Sequence, residues 1–424
     1  MQRIPPGNSR HAGLFVLSYF SIAIVAVFAA AVIYLGLATV GVLLFAGRMR
    51  RASMTPAFGA PVTVLKPLCG DEPDLYENLR SFCVQEYPTY QVVFGVRDAE
   101  DPAIPVIEKL IAEHPDADIE LVIDERIYGR NLKVSNLINM NAQARHDIIV
   151  VADSDMRVGP GYLSAVAGEF ADPKVGAATC LYSGAGNANR PSRLGAMFIN
   201  DWFLPSALIP TLFGELAFCF GATMAIRRDV LAEIGGFEAL AAVLADDYMF
   251  GNAAHKAGYK VALVPYVVEN RVFEPSFGAL FRHETRWART IRSVQPGGYA
   301  MSFVTEALPL SLLAAAAFWE TGSAQVALLP IGIALSLRWV LHHAVQRGLA
   351  NGENYSPWLI PLRDAFSLCV RIGSFFGRDV TWRGQNMTVR AESRLDPLNA
   401  PRGTRQDELE ACDEKDVVSQ PTYL

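Results

Sequence analysis

Five carboxylates fall at points where their type and spacing could do chemistry. Asp153 and Asp155, in Asp153-Ser-Asp155, close the apolar run Ile-Ile-Val-Val-Ala at residues 148–152. Such a run, rich in Ile and Val, reads as a strand buried on both faces. Ligands of open α/β sheets bind beyond the carboxyl ends of strands. Two acids one residue apart suit Mg²⁺ or Mn²⁺, hard cations that take oxygen ligands and share them with a substrate's phosphates. On its own an Asp-x-Asp is more often a solvated acidic turn, so the surrounding chain has to decide. Asp98 follows an apolar run at residues 90–96, and Asp246 and Asp247 open a helical segment in Leu244-Ala-Asp-Asp-Tyr-Met-Phe250, where N-capping is the bland alternative. Sugar transfer from a nucleotide-sugar would unite all of these points. The leaving diphosphate gathers charge that a divalent cation and a Lys or Arg neutralise. A carboxylate on the far side of the sugar takes the proton of an attacking hydroxyl, and a single base attacking from behind inverts the anomeric carbon. Asp247 is the candidate base and Asp98 the candidate partner of the nucleoside.

The elements that would position these acids alternate. Residues 62–66, 90–96, 119–123 and 148–152 predict strands, and residues 73–85, 104–114 and 132–144 predict helices between them. Short links and strict alternation imply an α/β domain with a doubly wound, mostly parallel sheet. Beyond Pro160 the spacing predicts a helix at 162–170, a strand at 175–180 and a polar, Gly/Asn-rich loop at 183–193. Residues 194–213 are apolar and aromatic, which admits a core helix, an acceptor-side wall or a surface dipping into lipid. In the helix predicted at 276–292, Arg282, Arg286, Arg289 and Arg292 share one face. Such a stripe is usually solvated, but it equally suits anionic lipid headgroups or a diphosphate.

Half of the 424 residues are apolar and the net charge is −6, with no basic domain of the kind nucleic acid needs. The six cysteines have no CxxC spacing, so no zinc site is indicated. Residues 13–47 carry no charge, longer than the roughly 20 residues of a spanning helix, so residues 1–51 read as a membrane anchor. Arg48, Arg50 and Arg51 follow and favour a cytoplasmic catalytic domain, with Arg3 and Arg10 opposing from the other flank. The predicted catalytic domain is residues 61–295. Residues 300–380 hold three apolar stretches, at 307–319, 324–341 and 358–376, interrupted by Glu306, Glu320, Arg338, Arg363, Asp364 and Arg371. Short, charged interruptions of this kind suit interfacial or re-entrant helices as well as spans. Residues 389–424 are polar and acidic and predict disorder.

In chain order, Leu65-Lys-Pro-Leu-Cys-Gly70, Val96-Arg-Asp-Ala-Glu-Asp-Pro102, Gly129-Arg-Asn-Leu-Lys-Val-Ser-Asn136, Asp153-Ser-Asp-Met-Arg-Val158, Ala245-Asp-Asp-Tyr248 and Arg286-Trp287 resemble the ceramide glucosyltransferases and their bacterial relatives, hopanoid-modifying ones included. The resemblance covers residues 62–292. That family places spaced Asp residues and a (Gln or Arg)-x-x-Arg-Trp motif on a GT-A fold between membrane segments. It implies that Asp98 contacts the nucleotide, that Asp153 with Asp155 holds a metal and the diphosphate, and that Asp247 is the base. Lys133 and Asn136 fall in a Gly-x-Asn-x-Lys-x-x-Asn segment on the donor side, with Lys133 pairing with phosphate or buttressing the site. Arg286 and Trp287 would close over donor and acceptor, and Asp246, His283 and Trp202 fall on the acceptor side. His283 stands where the pattern has Gln or Arg. Asp155 stands where animal enzymes have Gly, and Asn200-Asp201-Trp202 occupies the neighbourhood of a His in those enzymes.

The implied activity is inverting transfer of glucose from UDP-glucose to the primary hydroxyl of ceramide or a similar lipid, by a multi-pass membrane enzyme using Mn²⁺ or Mg²⁺. Transfer of N-acetylglucosamine to a hopanoid keeps the chemistry and changes the lipid. A processive polysaccharide synthase needs firmer C-terminal spans, and a sugar-nucleotide-binding protein without catalysis would have no need of Asp247.

Overall fold

A computed structural model describes residues 9–52, 59–186, 189–319, 324–350, 357–377, 379–382 and 385–388; the predicted disordered tail at 389–424 lies outside them. The uncharged N-terminal run is one helix, α1 (Ser9–Ala52). The alternating segments then follow: β1 (Val62–Pro67), α2 (Leu75–Cys83), β2 (Tyr90–Val96), α3 (Ile104–Glu113), β3 (Ile119–Ile123), α4 (Leu132–Asn141) and β4 (Ile148–Val151). All of β1 and β4 is buried, as a two-sided apolar strand requires. β2, β1 and β4 lie side by side and parallel, with β3 outside β2, so their carboxyl ends share one edge.

The second half departs from a parallel sheet. After β5 (Met156–Arg157) and α5 (Tyr162–Glu169) comes β6 (Val175–Ala185), buried throughout. The chain returns through α6 (Arg190–Phe198), a π-helical turn (Ile199–Phe203) and α7 (Leu204–Leu208). It re-enters the sheet as β7 (Met224–Arg227), antiparallel to both β4 and β6, because it comes back from the end where β6 finished. After α8 (Arg228–Glu233) and α9 (Asp246–Lys256), β8 (Lys260–Arg271) pairs parallel with β6 and antiparallel with β5. The sheet is therefore mixed, ordered β3-β2-β1-β4-β7-β6-β8-β5.

The strand β6 runs into the region predicted as a loop. Its glycines serve packing instead: a Cβ on Gly184 would lie 2.7 Å from Ala196 Cα, and one on Gly186 2.3 Å from the Ser192 carbonyl. Bare backbone lets α6 press against the sheet.

α10 (Phe277–Val294) leads through α11 (Pro296–Met301) to α12 (Ala307–Trp319), α13 (Ala324–Gly348) and α14 (Ile360–Ser374). α1 and α13 are long and apolar enough to cross a membrane. A third crossing is possible by length if α12 is counted with residues 296–305, to which it is bent by 63°. The arginine stripe on α10 is not one free face. Arg282 is exposed and Arg286 buried, while Arg289 and Arg292 donate to the carbonyls of Phe376 and Gly377, beyond the end of α14. Among the described residues the charges that interrupt the C-terminal third pair off, Arg338 with Asp364, Arg363 with Glu284, and Arg371 with Glu306, while Glu320 lies outside the described residues.

Candidate active site

The site begins where β4 ends. The backbone carbonyl of Asp153 accepts from the buried ammonium of Lys66, on β1, which also lies 3.8 Å over the Phe82 ring. Two residues on, Asn270 of β8 donates its side-chain amide to Asp155 Oδ2 at 2.8 Å, and Arg271 N–H donates to the Asp155 carbonyl at 3.0 Å. The short β5–β8 pairing thus fixes the second acid. Asp246 and Asp247 form the first turn of α9, where their charge complements the helix dipole, behind an N-cap residue, Ala245, that has no capping side chain.

Lys133 joins the two ends of the site. Its ammonium lies 3.0 Å from Asp153 Oδ1 and 3.3 Å from Asp246 Oδ2, so a residue of α4 bridges the acid after β4 and the acid opening α9. Asn131 caps α4 by accepting from Val134 N–H, and its amide donates to Val243 O at 2.8 Å and to Asp246 Oδ1 at 3.4 Å. Asn136 sits behind this layer, buried, its amide donating to the Gly95 carbonyl of β2 at 2.8 Å. Asp98 lies on the same sheet edge, two strands from Asp153 or roughly 10 Å by strand spacing. There its carboxylate accepts from Glu100 N–H at 2.9 Å.

Of the expected acceptor-side residues, Asp246 stays in the acid cluster beside Lys133, whereas Trp202 and His283 lie on an aromatic wall. Tyr182 and Phe203 stack at 4.6 Å, Phe203 meets Phe220 at 5.4 Å, Phe220 meets Phe218 at 5.3 Å, and Phe218 stacks on Tyr248 at 5.2 Å. Trp202 and Trp287 both stack on Phe198, at 4.8 and 5.8 Å. His283 packs edge-on to Trp287 at 4.3 Å and is tied to Glu274 at 2.5 Å. Arg286 is buried on the same helix. Two cavities open along this wall. One, of about 240 Å³, reaches Ala245 and Tyr248, which flank the two acids of α9. The other, small at about 30 Å³, is lined by Tyr182, Trp287 and Glu284 among others. Trp202, Phe203 and Ile291 border both.

Residues 19–395 match the model of glycosyl transferase family 21. The chain belongs to that family. Among curated relatives, the family 21 enzyme is 22% identical to ceramide glucosyltransferase 1 of Caenorhabditis elegans over 340 residues, covering 79% of this chain and 72% of that one. It is 37% identical to the ceramide glucosyltransferase of Candida albicans over a shorter stretch of 107 residues, 22% of this chain and 20% of that one. Among solved structures it is similar to the mannosyltransferase PcManGT from Pyrobaculum calidifontis, solved in complex with GDP-Man and Mn²⁺, with 20% identity and a TM-score of 0.46 over 82% of this chain and 99% of that one. The enzyme is thus a hexosyltransferase, as the ordered acidic motifs imply.

Buried acids in the family 21 enzyme are short of positive charge. Burial, reinforced by Asp246, raises the Asp247 carboxyl to about 7. Burial and then Glu72 raise Asp155 to about 7 against the Asn270 hydrogen bond, and burial holds Asp153 above its ordinary value despite Lys133. Burial disfavours the Lys133 ammonium, but Asp153 and Asp246 outweigh it and hold the group above its ordinary value. Burial lowers Lys66 to about 7 against the pull of Asp153 and Asp155. Among the described residues no group of three or more side chains could by itself hold a metal. Asp153 Oδ2 and Asp155 Oδ1 are nonetheless buried without a hydrogen-bond partner. That pair fits a hard divalent cation held by one or two carboxylates with substrate phosphates completing the shell.

Sequence reasoning missed Lys66, Asn131 and Asn270. A lone lysine in a fully apolar strand was the available signal for Lys66, since a buried ammonium needs a dedicated partner. Asn131 stood in plain view inside the Gly129–Asn136 motif. Nothing local marks Asn270, which matters only because β8 pairs with β5.

Proposed function

We propose that this enzyme transfers glucose from UDP-glucose to the primary hydroxyl of ceramide or a similar lipid, with inversion, and that its catalytic domain faces the cytoplasm. The observation that carries the reading is the placing of Asp247. Its Oδ1 accepts from Tyr248 N–H at 2.7 Å and the Gly221 N–H also favours the ionised carboxylate, while Oδ2 is buried without a close hydrogen bond. Beside it opens an apolar cavity whose wall includes Ser206, and Ser206 Oγ bonds the Tyr34 hydroxyl of α1 at 2.7 Å. A free carboxylate oxygen at one end and a membrane helix at the other suit a hydroxyl carried on a lipid.

In this reading the lipid oxygen bonds to the anomeric carbon as the bond from that carbon to the diphosphate breaks. The bonding electrons leave with UDP, and the hydroxyl proton goes to Asp247 Oδ2. Asp153 and Asp155 would hold Mg²⁺ or Mn²⁺, which when bound neutralises charge on the diphosphate. Lys133 keeps Asp153 and Asp246 in register, and the apolar aromatic wall disfavours water beside the sugar. Asp98 belongs to the nucleoside end of the site, along the shared strand edge. Arg286 is assigned to the donor phosphates, and Arg48, Arg50 and Arg51 to the cytoplasmic rim of α1.

UDP release from the full-length enzyme with UDP-glucose and Mn²⁺ should rise on adding ceramide, with hexosylceramide formed in step. Asp247→Asn should lower formation of the lipid product at least about 100-fold. A preference for UDP-N-acetylglucosamine would overturn the sugar assignment, and normal turnover by Asp247→Asn would overturn the base.

A further inference from the structure

The polarity of α14 is inverted. Its charged side chains turn inward, Arg363 and Asp364 buried against Glu284 and Arg338, and Arg371 against Glu306 at 2.8 Å. Ser374 is buried with them and pairs with the Tyr299 hydroxyl at 2.7 Å. What the helix turns outward is apolar: Leu362, Ala365, Cys369 and Ile372 are exposed at helical spacing, and Phe375 and Phe376 continue the stripe past its end. A helix on a surface open to water shows the opposite arrangement.

Two sets of bonds fix the course of α14. Near its start Arg363 meets Glu284 of α10 and the Leu194 carbonyl of α6. Just past its end the carbonyls of Phe376 and Gly377 accept from Arg289 and Arg292, also of α10. Both ends thus lie against one helix, and α10, with its exposed Arg282, does not enter hydrocarbon. At 15 residues α14 is about 22 Å long, short of the roughly 30 Å of a bilayer core. Its apolar stripe also adjoins surface of the same kind. Arg371 bonds Ser302, which stands between exposed Met301 and Phe303, and the neighbouring α12 exposes Leu312, Leu313 and Trp319. In turn α12 packs on α13, which is long and apolar enough to cross a membrane.

We propose that α14 is an in-plane interfacial helix, its outer stripe sunk into the hydrocarbon boundary, its charged side locked to α10, and neither end carried across. The partner of that stripe is lipid. Exposed Trp358, just ahead of α14, takes the headgroup level that suits an indole. The inference goes beyond the transfer reading and holds whichever sugar and acceptor the enzyme uses. Its consequence for the site is that α10, which carries Arg286 and Trp287, is clamped directly beneath the lipid surface.

The test places a nitroxide on the full-length enzyme in phosphatidylcholine vesicles. Cys369 is the exposed free cysteine among the described residues, so labelling it in a Cys69→Ser, Cys412→Ser background needs no change within α14. Leu362→Cys or Phe376→Cys, each with Cys369→Ser, moves the label to either end of the stripe. Immersion depth is read from collisions with oxygen against those with a water-soluble nickel complex. All three labels should lie below the headgroups, at depths that agree within about 10 Å, whereas a crossing helix would spread them over about 20 Å. Labels that sit in water, or depths that differ by more than about 10 Å, overturn the inference. Dipolar broadening between labels on separate chains overturns it too, because a second copy would then cover the stripe.

Discussion

Asp247 carries a pH dependence whose two parts have opposite signs. A general base works only when ionised, and burial together with Asp246 raises this carboxyl to about 7. Transfer should therefore fall as pH drops through about 7, and an inflection there should be absent from the residual rate of Asp247→Asn, which should lie at least about 100-fold lower. A profile flat for about one unit on either side of 7 would remove Asp247 from the role. Stability runs the other way. The folded state holds this proton more tightly than the unfolded chain, so the contribution is present below the ordinary aspartate value and lost as pH rises through about 7. Lys133 makes a second case at this scale. Replacing it with Met leaves Asp153 and Asp246 buried without the ammonium that now lies 3.0 and 3.3 Å from them. A broken buried pair costs roughly 3–5 kcal/mol, which denaturant unfolding in detergent should show as a matching fall. A loss below about 1 kcal/mol would mean that solvent reaches the acids.

At the scale of elements, what can be read from a sequence depends on how local the cause is. β2 and β3 fall where their apolar runs end, and Asp153, Asp155, Asp246 and Asp247 lie at the element ends expected of them. Period and termination are written in neighbouring residues. The antiparallel insertion of β7 is not, because it depends on where β6 finishes. Nor is the placing of Arg289 and Arg292, whose partners lie more than eighty residues away. Glycine is the most ambiguous letter, marking loops in most chains but close approach here. Gly129 shows the consequence: a Cβ there would lie 2.2 Å from the Ala241 carbonyl, in the segment that also bonds Asn131 N–H and leads to Asp246. Gly129→Ala must push that segment away from α4. The expected cost is about 1–3 kcal/mol of stability, as for other overpacked sites, together with a fall in kcat beyond what the folded fraction explains, since Asp246 and Asp247 move with the segment. Unchanged kcat per folded molecule would show that α9 absorbs the shift.

At the scale of the whole molecule, two of the charges that break the C-terminal apolar stretches, Arg338 and Arg363, tie those stretches to residues before 295. Arg363 of α14 meets both oxygens of Glu284 on α10 at 2.7 Å and donates to the Leu194 carbonyl of α6 at 3.1 Å, with hardly any exposure on either side. On α13, His342 lies 2.9 Å from both Asp201 oxygens and Arg338 donates to the Asp201 carbonyl at 2.9 Å, next to Trp202. α13, long and apolar enough to cross a membrane, therefore grips the π-helical turn that forms part of the wall of both cavities. A buried ion pair adds little to stability over an apolar pair of the same shape, but removing one partner strands a charge. Arg363→Met alone should then cost roughly 3–5 kcal/mol, and Glu284→Leu with Arg363→Met should recover most of it. If the pair only adds stability, activity per folded molecule returns with the double variant. If it also sets the angle of α10, on which Trp287 sits, the double variant folds normally yet transfers sugar poorly to a long-chain lipid. Thermal unfolding and lipid-product formation, measured on the same three proteins, separate the two outcomes. The bidentate geometry and the third bond to Leu194 favour the second outcome, because a fork held at three points fixes direction as well as distance.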